Sequence, residues 1–471
     1  MGFSLFEKLW HEHLVEAYED GTDLIYIDRI FLHERTGSIA LSGLATDGRE
    51  VFCPEQVFCS MDHIVDTYPD RTDKTTMPSG EEFITATRSH TKAAGIALFD
   101  LGDPRQGIVH VISPEQGIVQ PGISLVCPDS HTCTQGALGA LAWGIGSSEA
   151  EHALVTKTLR VLRPKTMCVR FEGTLPPGVT AKDMILHLIA THGVNGARGC
   201  AVEFAGQVVT ELDMEARMTL CNMAVEFSAF TGLIAPDEKT IEFLRGRPYA
   251  PKDEQWEQAV AYWETLVSPE DAHFDLELVV DCSALEPQVT WGTSPQHTVA
   301  VSASVPSPDV TDIAAAEHQE KARTYMDVSV GQPLAGTPLD AAFIGSCTNS
   351  RISDLRLAAE ILHGRKVAEG IRAICVPGSM QVKAEAEAEG LDQIFTDAGF
   401  EWRASGCSMC FFAGGEHFGY RERVISTTNR NFESRQGPET RSHLASPATV
   451  AASAVRGCIT DPRALMQEQE V

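Results

Sequence analysis

Twice between residues 339 and 400 an apolar run gives way to a turn of small residues and then to a helical pattern. "LDAAFIGSC" leads to "ISDLRLAAEILHGRK", and "IRAICVPGS" leads to "MQVKAEAEAEGLDQIFTDAGF". Short apolar runs without polar alternation need cover on both faces, and the helices that follow them supply it. The pattern therefore predicts a mostly parallel sheet in an α/β fold. Ligands of such sheets gather beyond the carboxyl ends of the strands, which is where Cys347, Ser379 and the "GCSMC" turn at 406–410 fall.

The same grammar runs through the rest of the chain. "SLVCPDSHT" (124–132) reads as an apolar strand ending in a polar turn, and the glycine-rich stretch 136–159 grades into a helix. Gly144 and Gly146 match a dinucleotide loop only in part, since its third glycine is missing. A strand, a Pro/Gly turn and a helix over 165–193 open a second unit. Residues 283–340, rich in Pro, Ser, Thr and Ala, read as a long connection. The expected organisation is an α/β unit over 1–165, a second over 166–285, and a linker plus third unit over 286–471 that carries the "GSC" and "GCSMC" cysteines.

A net charge of −28 disfavours nucleic acid, whose phosphates call for Lys and Arg. No apolar run is long enough for a membrane helix. The amino terminus is acidic and amphipathic rather than basic and then apolar, so no secretory signal is read there. Thirteen irregularly spaced cysteines suit a reducing compartment better than a disulfide scaffold. A cytoplasmic protein without membrane or nucleic-acid partners is expected.

Most of those thiols read as inert core residues, but Cys347, Cys407 and Cys410 invite another reading. Structural zinc closes its shell with four ligands, which here would recruit His417. A redox pair belongs at a helix start near the beginning of a domain, and 407–410 lies near the end of the chain. Three thiolates on a four-iron cluster would leave one iron open to act as a Lewis acid.

These motifs have companions: "SMDH" (60–63), "GIVH" (107–110), "PDSHT" (128–132), "CNMAVE" (221–226) and "TTNRNFESRQG" (427–437). Together with "GSCTNSR" and "GCSMC" they resemble the aconitase superfamily from "LFEKLW" to "SHLASPATVAASAV", essentially the whole chain. Within it they resemble the large-subunit branch of the isopropylmalate isomerases. The resemblance implies three α/β domains around a central [4Fe-4S] cluster held by Cys347, Cys407 and Cys410. Asp62, His63, His110, Asp129, His131 and Glu226 are implied as acid/base residues. Ser130, Asn222, Asn429, Arg430 and Arg435 are implied as binders of a small 2-hydroxy diacid. The residue types agree: Asp–His pairs suit proton delivery to a leaving hydroxyl, and Arg grips carboxylate through two parallel bonds. His63, His110 and His131 are each expected at the end of a strand.

The family's carbon-acid base is a serine on a swivelling domain, which is not expected within these residues, so the resemblance implies a small-subunit partner. The implied reaction is dehydration and rehydration that isomerises 2- and 3-isopropylmalate in leucine biosynthesis. A paralogous hydro-lyase on another 2-substituted malate, homoaconitase-like or dimethylmaleate hydratase-like, is the alternative. A non-catalytic metal protein is the third reading. Ile39, Leu41, Gln135, Ala197, Arg198 and Ser434 depart from the family pattern and bear on the choice of acid. Arg198 in particular is expected to suit a further anionic group.

Overall fold

The computed structural model describes residues 2–308 and 311–468. Three parallel sheets organise it. The first contains Arg29–His33, Val57–Ser60, Ala97–Phe99, Ser124–Cys127 and Leu141–Gly144. Numbered by their own order in the chain, these strands run third, second, first, fourth, fifth across the sheet. The last sheet, of Ala341–Ile344, Arg372–Cys375, Phe400–Trp402, Arg423–Ser426 and Arg441–Leu444, repeats that order. The middle sheet repeats it with four strands, Thr166–Glu172, Ala201–Ala205, Thr231–Leu233 and Leu276–Asp281. Such an order places a topological switch between the first and fourth strands, where neighbouring loops diverge and leave a crevice.

The strands are short and buried along most of their length. Ser124–Cys127, Ala341–Ile344 and Arg423–Ser426 are buried at every position, as expected of parallel strands covered on both faces. The helices Ile352–Leu362 and Pro447–Arg456 pack on the last sheet. One apolar core runs beneath the first two sheets and another beneath the third. Gly107 lets the first and third sheets meet closely: a Cβ there would lie 2.6 Å from the Cα of Ser379, with which it forms an isolated bridge.

Three expectations need correction. His110 does not end a strand. It lies in the first turn of the helix Val109–Glu115, whose start is fixed by the Asp62 carboxylate accepting from Val109 N at 3.0 Å. A short apolar run buried on all sides fits either structure until such a partner decides. Residues 283–340 are not a bare connection: they hold the hairpin Gln288–Thr290 with Thr298–Ala300 and the helix Ile313–Met326. Part of "SVPSPDV" lies outside the described residues. The run after "IRAICVPGS" is two helices, Met380–Ala388 and Leu391–Ala398, broken where Gly390 turns left-handed.

Candidate active site

A cavity of about 240 Å³ opens between the carboxyl ends of the first and last sheets. Its lining includes His63, His110, Asp129, Ser130 and His131 from one side, and Cys347, Cys407, Cys410, Arg430 and Arg435 from the other. Both switch points face it. Asp129 follows the fourth strand of the first sheet, and Cys347 and Arg430 follow the first and fourth strands of the last.

Asp129 gathers the histidines. Its Oδ1 lies 2.8 Å from His110 Nε2 and accepts from His131 N at 2.8 Å, while Oδ2 lies 3.2 Å from His63 Nε2. The other His63 nitrogen lies 2.7 Å from Asp62 Oδ1. Burial raises a carboxyl pKa, yet these histidine contacts hold Asp129 well below its ordinary range. Asp62 is likewise lowered, by the charge and hydrogen bond of His63 acting against burial. Burial lowers His63, but the charges of Asp62 and Cys407 and the hydrogen bonds to Asp129 and Asp62 outweigh it and raise His63 well above its ordinary value. Both of its ring nitrogens are held by carboxylates.

Asp62, Glu226, Asn222 and Asn429 stand behind the lining. Glu226 Oε1 lies 2.9 Å from His131 Nε2 and accepts from Arg430 Nε at 2.7 Å. Asn222 Nδ2 points at Cys347 Sγ at 3.2 Å, and Asn429 Nδ2 at the same sulfur at 3.5 Å. Arg435 Nη2 lies 3.8 Å from Cys410 Sγ. The structure thus brings all fourteen sequence-derived site residues to one place, counting Asp62, Glu226 and the two asparagines as supports.

The donor set suits a cation-rich group. Burial pushes the Cys347 thiol up to about 12 and Cys407 well above its ordinary value, so thiolates here call for a metal to stabilise them. Glu226 Oε2, Asn429 Oδ1 and Arg435 Nε are buried without a partner, which leaves polar atoms to spare at the cavity. Ser346 and Ser408, beside the cysteines, hold left-handed backbone at φ 88° and 47°. Strain of this kind gathers at ligand-holding turns. A single zinc is disfavoured. His417 is exposed and turned away, its Nδ1 2.8 Å from the Phe418 carbonyl. Among the described residues, the group whose ligand atoms all lie within 4.8 Å of one another is His33, Glu34, Asp62 and His63, not the three sulfurs.

Sequence reasoning missed several contributors. His33 lines the cavity and stacks on His63 with ring centroids 3.8 Å apart; burial and the neighbouring His63 charge depress it to about 4. Glu34 accepts from the backbone N–H groups of Asp62 and Ile64, and burial raises it to about 7. Lys182, depressed to about 8 by burial, donates to the carbonyls of Thr427 and Thr428 just before Asn429. "HERT" directly after an apolar strand was the available signal for His33 and Glu34.

Of the departures, Gln135 does reach the site, its Nε2 3.4 Å from His110 Nδ1. Ile39 is 54 % exposed and Leu41 is core. Ala197 is buried, and Ser434 adopts φ 61° away from the lining. Arg198 lies in a separate cavity with Asn195 and Gln296, so it does not meet a ligand in this one.

The model of the aconitase family (aconitate hydratase) matches residues 7–457. The chain is 52 % identical over 465 residues to 3-isopropylmalate dehydratase large subunit 1 of Bradyrhizobium diazoefficiens, covering 98 % of this chain and 97 % of that one. Among solved structures, aconitase X of Thermococcus kodakaraensis in its holo form aligns with a TM-score of 0.47 at 14 % identity, over 87 % of this chain and 84 % of that one.

Proposed function

The chain belongs to the aconitase family, and from that premise we propose that it is the large subunit of a hydro-lyase isomerising 2-isopropylmalate and 3-isopropylmalate, a step of leucine biosynthesis. Hydroxyl transfer between neighbouring carbons would proceed by loss and return of water. The observation that carries the reading is the convergence of three buried cysteines, three carboxylate-held histidines and two arginines on one cavity.

Cys347, Cys407 and Cys410 would hold an iron–sulfur cluster, which we read as [4Fe-4S]. Such a cluster, when bound through three thiolates, supplies a Lewis-acidic iron for a hydroxyl and a carboxylate. Asn222 and Asn429 orient and partly neutralise the Cys347 sulfur. Arg430, fixed by Glu226, and Arg435 bind the two malate carboxylates. His63, held between Asp62 and Asp129, carries the proton for the departing hydroxyl on Nε2, the nitrogen it shares with Asp129 on the cavity wall. His110 and His131 keep defined orientations through Asp129 and Glu226. Ser130, exposed on the rim, completes the polar wall.

The relative is named a large subunit, and a small subunit carrying the swivelling domain would supply the base for the carbon proton. We place the assembly in the cytoplasm, in keeping with thirteen unpaired thiols. The division into units at 1–165, 166–285 and 286–471 is proposed on the three repeated sheets.

The test is anaerobic co-purification with the small subunit, followed by iron and sulfide analysis and assay on both isopropylmalates. Iron with equal sulfide and interconversion of the two acids are expected. Zinc without iron would overturn the reading.

A further inference from the structure

We propose that Gln135 is a positioning residue: its side-chain amide keeps the His110 proton on Nε2, toward Asp129, and so makes His110 a brace of that carboxylate rather than a proton carrier. The brace role rests on the hydro-lyase reading; the proton position does not.

One short element grips both nitrogens of the His110 ring. Asp129 caps the 3-10 helix Ser130–Leu138, and its Oδ1 lies 2.8 Å from His110 Nε2. Gln135, within the same helix, brings its own Nε2 to 3.4 Å from His110 Nδ1. The ring, carried by the helix Val109–Glu115, is thus held from two sides, and both His110 and Gln135 are buried. His110 lines the cavity and Gln135 does not, so Gln135 acts on a ligand through His110.

An amide N–H can only donate, so Nδ1 must offer its lone pair. The single proton of a neutral imidazole then sits on Nε2 and is donated to Asp129. The reverse amide orientation would place Oε1 at Nδ1 and strand the NH2 group in the interior. In the structure the unpartnered atom is Oε1, and a buried carbonyl oxygen tolerates that better than a donor does. The reverse orientation would also put a second proton on the ring and make it a cation. Asp129, the carboxylate facing the ring, is already shared with His63 and the backbone of His131. The buried Arg351 guanidinium meanwhile donates to the His110 carbonyl at 3.3 Å, which opposes a further positive charge there.

His63 differs in what faces it, a carboxylate at each nitrogen. His110 faces a carboxylate at one nitrogen and an amide N–H at the other. Losing its proton would leave an imidazolate, and gaining one would displace the Gln135 donor. His110 therefore keeps one proton throughout, and its work is to orient Asp129.

The experiment is neutron diffraction from crystals of the cluster-loaded enzyme in heavy water, with two variants assayed beside it. Deuterium is expected on His110 Nε2 and none on Nδ1; deuterium on Nδ1 overturns the proposal. That map needs no substitution, so it stands even where a variant fails to fold. Gln135→Glu puts an acceptor where the donor was, which should bring a second deuterium to Nδ1. Its kcat on 2-isopropylmalate should fall about tenfold with KM within about twofold, because the new cation competes with His63 for Asp129. An unchanged kcat overturns the proposal. His110→Gln keeps an amide donor for Asp129 and should cost less than about 10²-fold, whereas a larger loss, in the range of a general acid, would make His110 a proton carrier and overturn it. Rates are taken per loaded cluster, so loss of iron cancels. If the native enzyme interconverts no malate, the hydro-lyase reading falls by itself, and the deuterium position still decides what Gln135 does to His110.

Discussion

His131 and Glu226, 95 residues apart in the chain, meet through a 2.9 Å contact between Nε2 and Oε1. The same oxygen accepts from Arg430 Nε at 2.7 Å, so one carboxylate from the middle of the chain couples a histidine of the first sheet to an arginine of the last. Glu226 is nearly buried and is held below its ordinary pKa: burial opposes the charge, but His131 and Arg430 outweigh it. Glu226→Gln keeps the shape and removes the charge that orients both partners. A fall in kcat/KM of roughly 10²–10³-fold is expected, with iron content unchanged. Steady-state kinetics alongside iron analysis check it.

Cluster assignment makes a selective prediction among thirteen cysteines. Cys347→Ser, Cys407→Ser and Cys410→Ser should each lose iron and turnover. Cys375, buried in the strand Arg372–Cys375, is a core thiol, and Cys375→Ala should keep its iron while losing about 1 kcal/mol of stability. Metal analysis with a denaturant titration separates the two outcomes.

Far from the cavity, His13 and Asp28 form a pair with a pH signature. His13 Nε2 lies 2.6 Å from Asp28 Oδ2, and Nδ1 lies 2.7 Å from the Leu9 carbonyl. Burial disfavours both charges, but their contact raises His13 above 6.5 and lowers Asp28 below 3.8. The histidine contribution is full below its unfolded pKa and fades as pH rises through the folded one. The aspartate contribution is full above its unfolded pKa and fades as pH falls through the folded one. His13→Gln should therefore destabilise by about 1 kcal/mol more at pH near 6 than at pH near 9, read from unfolding curves at the two values.

The parallel sheets were legible because buried strands leave unbroken apolar runs, and the thiols and Asp–His pairs because motif spacing survives without coordinates. Pairings across long separations were not. Nothing local ties Glu226 to Arg430 or Lys182 to Thr427, since those contacts exist only once the sheets are apposed. Val109–Glu115 was misread because a buried apolar run lacks periodicity, and the partner that starts its helix, Asp62, lies 47 residues away.

Glu416 supplies the last test, one of stability joined to metal retention. Its carboxylate accepts from Arg403 Nη1 at 2.9 Å, from Thr67 N and Oγ1, and from Ser408 Oγ. Both Glu416 and Arg403 side chains are 2 % exposed, so deleting the acid strands a buried guanidinium, whose remaining carboxylate partner, Glu401, is 43 % exposed. Loss of one member of such a pair costs about 3–5 kcal/mol. Ser408 lies between Cys407 and Cys410, so the same change should also loosen the turn that carries these two proposed cluster ligands. Glu416→Ala is expected to lower unfolding free energy by that amount and to speed iron release to a chelator, with Glu416→Gln intermediate. The exposed pair Arg421–Glu439, at 41 % and 47 % exposure, is the contrast: Glu439→Ala should change stability by no more than about 0.5 kcal/mol and leave iron release unaltered. Equal effects of Glu416→Ala and Glu439→Ala would show that the buried carboxylate does not brace the cysteine turn.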